Sequence, residues 1–210
     1  MIPKPQHKVL DRLLEFRDEA ISALDREAVP VYLFITKRFA AAKNVSADPV
    51  FQFVFRSYYR LDNAGLGDAF KVAYFELLRQ HRSGARPDLR HLCEALAQHE
   101  TKRRKQSLQF SFATKLLATV DPTQPIYDSY VAAVFDFNPA SHVKEFAKRL
   151  NKLLTFYDLL SVTCRWFVAQ PKFAEVNVAF ARANKLWSKL PRMKQVDFVL
   201  WATGKAMGNR

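Results

Sequence analysis

A lysine and an aspartate thirteen positions apart carry the first chemical signal in the chain. Lys115 interrupts an apolar helical run, with Phe112, Leu116 and Leu117 as near neighbours. An amine partly withdrawn from water gives up its proton more readily, and the neutral form is a nucleophile. Asp128 follows Asp121-Pro-Thr-Gln-Pro125, a loop stiffened by two prolines, and opens the next helical run. A carboxylate held there can act as a base or stabilise a developing cation. Each residue also has a plainer reading. Asp128 is a good N-cap for a helix over 129–135. Lys115 can cover apolar neighbours with its stem while its ammonium reaches water.

The elements that must position this pair read as helix after helix. Five glycines and 18 phenylalanines in 210 residues favour helices around a thick core over turn-rich β architecture. Apolar residues recur at helical spacing over 7–28, and Pro30 is read as breaking that run. Ser46-Ala-Asp-Pro49 reads as a helix start with Ser46 as the cap. An aromatic run over 50–61 leads into a turn at Asp62-Asn-Ala-Gly65. Shorter helical runs come next over 66–78, 89–96, 110–120 and 128–135, and a last one over 193–202. The longest periodic stretch spans 142–168, and Pro171 and Pro191 punctuate the remainder of the chain. The expectation is one all-α domain, 1–210, of eight to ten helices. Subdomain boundaries are candidates near 83–87 and 101–105.

Charge points to a partner. The chain has 33 basic and 20 acidic side chains, a formal +13. Residues 1–100 contribute +2 and residues 101–210 contribute +11. Such a bias is expected where one surface meets a polyanion. Lys102, Arg103, Arg104 and Lys105 form the densest basic cluster and are candidates for backbone phosphate contacts. The aromatic block offers Tyr58, Tyr59 and Arg60, with Asn63 just beyond, as candidate walls of a base pocket. The same spacing equally fits a core stripe. His91 and His99, beside Glu94 and Glu100, read as solvated, so no metal site is assigned. Cys93 and Cys164 are too few for a disulfide framework. No apolar run is long enough to span a membrane, and the N-terminus has no signal core, which together suggest a cytoplasmic protein.

The segments Phe112-Ala-Thr-Lys-Leu-Leu117 and Asp121-Pro-Thr-Gln-Pro-Ile-Tyr-Asp-Ser-Tyr-Val131 resemble the helix-hairpin-helix DNA glycosylases, in particular the 8-oxoguanine DNA glycosylase-like branch. The resemblance covers about residues 107–135. It implies an all-α enzyme that binds double-stranded DNA and excises a damaged or modified base, with Lys-dependent lyase activity and no metal or organic cofactor. On this resemblance Lys115 is the Schiff-base nucleophile and Asp128 the assisting carboxylate. The family's glycine-rich hairpin has no counterpart, since Ser107-Leu-Gln-Phe-Ser111 lacks Gly. DNA anchoring is therefore expected from side chains such as those of 102–105. A non-catalytic helical nucleic-acid-binding protein, or a defence-system module whose basic face meets a protein, fits the composition as well. The sequence leaves the oligomeric state open.

Overall fold

A computed structural model describes residues 5–82, 86–101, 107–139 and 143–208. The protein is all-α. Among the described residues eleven α-helices succeed one another: α1 (Pro5–Glu15), α2 (Arg17–Ala23), α3 (Ala28–Ala41), α4 (Pro49–Tyr59), α5 (Asp68–Gln80), α6 (Leu89–Ala97), α7 (Phe110–Val120), α8 (Ser129–Val134), α9 (Phe146–Val168), α10 (Pro171–Ala183) and α11 (Arg192–Met207). Two short 3-10 turns lie at Val45–Ala47 and Trp187–Lys189. The only β pairing among the described residues is an isolated bridge between Leu66 and Thr101.

Several prolines sit in the first turns of helices rather than stopping them. Pro49 and Pro171 occupy the first turns of α4 and α10, and Pro30 is the third residue of α3. A first-turn proline loses nothing, because its missing N–H would have had no helical partner. Pro30 therefore does not break the first run. That run is divided instead at Phe16 and Leu24, which flank α2. The expected Ser46 cap is likewise replaced. Asp48 caps α4 by accepting the Phe51 N–H at 3.0 Å, while both the N–H and the hydroxyl of Ser46 donate to Asn44 Oδ1.

Two compact units emerge from the contacts, Met1–Val29 with Pro122–Arg210 and Pro30–Asp121. We call them the terminal unit and the central unit. In the central unit α5 packs against α6 and α7, and α6 against α7. Its core is an aromatic mosaic in which the Phe55 ring meets Phe51, Tyr59, Tyr74 and Phe75 at 4.6–5.7 Å between centroids. In the terminal unit α11 packs against α8, α2 and α9. Gly204 permits the closest approach, since a Cβ there would lie 2.2 Å from the Tyr130 carbonyl oxygen of α8.

Candidate functional site

The α7 helix is apolar almost all round and buries Phe110, Phe112, Ala113, Thr114, Leu116, Leu117 and Ala118. Lys115 is half-buried on its remaining face. Its ammonium lies 4.8 Å from the Phe112 ring centroid and 5.9 Å from that of Tyr59. It also donates to the Tyr59 carbonyl at 3.4 Å. That carbonyl belongs to the last turn of α4, where oxygens lack helical partners and a cation is favoured. The apolar surroundings expected around Lys115 are thus present, together with a carbonyl from 56 residues upstream.

The proposed pocket residues split. Tyr59 is buried, and Tyr58, half-buried, meets its ring edge-on at 4.8 Å. Tyr59 is therefore core and at the same time a wall beside Lys115. Arg60 is exposed and ends α4 in the left-handed conformation, φ 59°. The next N–H, that of Leu61, reaches back to the Arg56 carbonyl at 2.9 Å. Asn63 is exposed in the adjoining turn. Tyr74 supports α7 from beneath by donating its hydroxyl to the Phe112 carbonyl at 3.1 Å, and burial pushes its phenol well above the ordinary value. Lys102, Arg103, Arg104 and Lys105 lie outside the described residues.

Lys115 belongs to the central unit and Asp128 to the terminal unit. Asp128 is the N-cap of α8: its Oδ1 accepts the Val131 N–H at 3.0 Å. The loop leading to it is buried from Gln124 to Tyr127. A buried loop must find partners for its backbone groups. The Tyr157 hydroxyl of α9 donates to the Pro125 carbonyl at 2.8 Å, and Asp197 Oδ1 of α11 accepts the Ile126 N–H at 3.1 Å. Burial, and then the charge of Asp128, pushes the Tyr127 phenol up to about 12.

Asp197 is paired in turn with Lys194, one helical turn earlier, at 3.6 Å, and both side chains are less than a tenth exposed. Burial raises the Asp197 carboxyl to about 6, although Lys194 and the Ile126 N–H pull the other way. Burial also lowers the Lys194 ammonium below the ordinary lysine value, against the attraction of Asp197 and Asp128. Sequence reasoning did not reach the connection between Asp197 and the loop. The available signal was a Lys-x-x-Asp pair inside a run that is otherwise mostly apolar.

Among the described residues no group of three or more His, Cys, Asp or Glu is placed to hold a metal ion. None of the described helices is long and apolar enough to cross a membrane. No family model, no curated protein and no solved structure matches the chain.

Proposed function

We propose that the protein is a DNA glycosylase in which Lys115 is the nucleophile. The observation that carries the reading is the setting of Lys115, the one ionisable side chain of an apolar helix, half-buried beside the Phe112 and Tyr59 rings. These rings and the Tyr59 carbonyl favour the ammonium, so Nζ attacks the sugar C1′ after passing one proton to an acceptor. The Nζ–C1′ bond forms as the N-glycosidic bond breaks, and the bonding electrons leave with the base, which takes up a proton. The C1′–O4′ bond then opens, O4′ keeping its electron pair and taking up the second amine proton, and an Nζ=C1′ imine to the sugar remains. The resemblance gives Asp128 the second role, a carboxylate that stabilises the cationic sugar and accepts a proton.

The charge supports a double-stranded DNA partner. Counted over the two units, the excess is +6 for the terminal and +7 for the central unit. Four of the latter charges are Lys102, Arg103, Arg104 and Lys105. Replacing those four by Ala should weaken duplex binding for every sequence and flatten its salt dependence by up to about four counterions.

A second reading, a non-catalytic nucleic-acid-binding protein, is favoured by a specific observation. Both key side chains already have structural work, Lys115 at the end of α4 and Asp128 as the cap of α8. Borohydride trapping on duplexes carrying different lesions separates the two readings. The wild type should become covalently linked to a substrate that it cleaves, because hydride reduces the imine to a stable amine. Lys115→Gln should bind without linking. Asp128→Asn should turn over about 10²–10⁴-fold more slowly yet keep its stability, since Asn caps nearly as well as Asp. A wild type that links to no lesion overturns the glycosylase reading.

A further inference from the structure

The geometry points to Lys194 and Asp197 as a buried positioning pair for the loop that presents Asp128. The chemistry of Asp128 rests on the glycosylase reading, whereas the pair itself rests on distances within the terminal unit. Asp197 uses its two oxygens for different tasks. One accepts the Ile126 N–H at 3.1 Å, and the other faces Lys194 Nζ at 3.6 Å. Lys194 lies 4.9 Å from the Phe198 ring centroid and is within electrostatic reach of Asp128. A core gains little from such a pair, because desolvating two charges offsets most of their attraction. An apolar pair of similar volume would fill the space without that cost.

What an apolar pair would not do is satisfy Ile126. Gln124, Pro125, Ile126 and Tyr127 are all buried, so the Ile126 N–H has no route to water. Asp197 holds that N–H and Tyr157 holds the Pro125 carbonyl, so the loop is gripped from α11 and α9 two and three residues before Asp128. Lys194 supplies the positive charge that lets Asp197 stay ionised in the core. The result is a carboxylate on a backbone with little freedom, as a catalytic base requires.

Amide hydrogen exchange tests the pair without reference to activity. Lys194→Met is paired with each Asp197 variant so that no buried charge is left stranded. In Lys194→Met/Asp197→Ala the Ile126 amide should exchange roughly tenfold faster, while Leu160 and Val199 keep their protection. Lys194→Met/Asp197→Asn, which retains an acceptor oxygen, should restore Ile126. Unchanged Ile126 protection in the Ala variant, or an equal loss at all three amides, overturns the proposal. Should the Ala variant fail to fold, the Asn variant still decides the contact, since loss of protection confined to Ile126 there overturns its assignment. On a duplex that the wild type cleaves, Lys194→Met/Asp197→Ala should lower kcat by ~10²-fold with duplex affinity unchanged, and Lys194→Met/Asp197→Asn should recover it. Wild-type kcat in the Ala variant denies the pair any role in positioning Asp128. A wild type that excises no base defeats the glycosylase reading alone, since Ile126 exchange still decides the pair.

Discussion

Both units bury aromatic rings, but they treat charge differently. The central unit buries rings: Phe51, Phe55, Phe70, Tyr74 and Phe75 are essentially inaccessible. Its described charges stay near the surface, in pairs such as Arg79 with Glu76 and Arg56 with Asp62. The terminal unit buries polarity. Residues 193–200 of α11 are buried without interruption, and Lys194, Gln195 and Asp197 are among them. A stretch enclosed on all sides cannot turn its polar residues to water, so each one left without an internal partner costs free energy. Gln195 does so by donating to the Trp187 and Leu190 carbonyls. Aromatic packing provides bulk, whereas the polar core ties specific backbone atoms in place, and it is the polar core that grips the loop before Asp128.

The contrast is sharpest under mutation. Phe55→Ala should cost about 3–5 kcal/mol, because four ring contacts are lost and little can collapse into the space. Chemical denaturation should show that cost unchanged between pH 5 and 8. Lys194→Met should cost about 3–5 kcal/mol at pH 8, where it strands a buried carboxylate. Its cost should shrink toward pH 5, as Asp197 takes up a proton. A Lys194→Met cost that ignores pH would remove the distinction between the cores.

The wild-type pH profile has its origin in the same pair. Between the ordinary aspartate value and about 6, the folded state holds the Asp197 proton more tightly than the unfolded chain. Stability contributed at that site therefore falls as pH rises through this window. Glu76 works in the other direction. Arg79 holds it down at about 2, so its contribution is present above the ordinary glutamate value and lost as pH falls toward 2. Asp197→Asn should abolish the first slope and leave the second, as urea midpoints measured from pH 2 to 8 would show.

Smaller effects separate packing from backbone strain. Gly204→Ala should cost roughly 1–3 kcal/mol, since the added methyl meets the Tyr130 backbone, which cannot yield as a side chain would. Arg60→Gly should stabilise the central unit by about 1 kcal/mol by relieving the left-handed conformation. If Arg60 contacts DNA, the same variant should lose duplex affinity while gaining thermal stability. Thermal melts and binding isotherms on one sample distinguish the outcomes.

Much of the local structure was legible in the residues themselves. The apolar run over 110–120 became α7 with those bounds, and Asp128 became the cap of α8, because both depend on neighbours within one turn. The periodic stretch expected from 142 forms a helix from Phe146 to Val168, with its inward face at Leu150, Leu153, Tyr157, Leu160, Cys164 and Phe167. The α10 helix was masked by its own first residue, Pro171, which reads equally as a stop or a start. The scarcity of glycine hid two helix ends, for Arg60 and Asp136 take the left-handed positions that glycine usually marks. Around Asp136 the chain compensates with long-range contacts, ion pairs to Lys8 and Arg12 and an Arg12 hydrogen bond to the Val134 carbonyl.

The sequence by itself determined the helical class, the positive charge, and Lys115 and Asp128 as the residues to test. It did so because helix periodicity, capping and net charge are local or additive properties. Tertiary structure alone decided what surrounds them. Counted by unit the excess is similar, +6 and +7, because the terminal unit joins 1–29 to 122–210. The Tyr59 carbonyl that meets Lys115 is 56 residues away, and the Asp197 carboxylate that holds Ile126 is 71 away. Partners so distant leave no pattern in a short window, since the free energy that brings them together is the burial of a whole core.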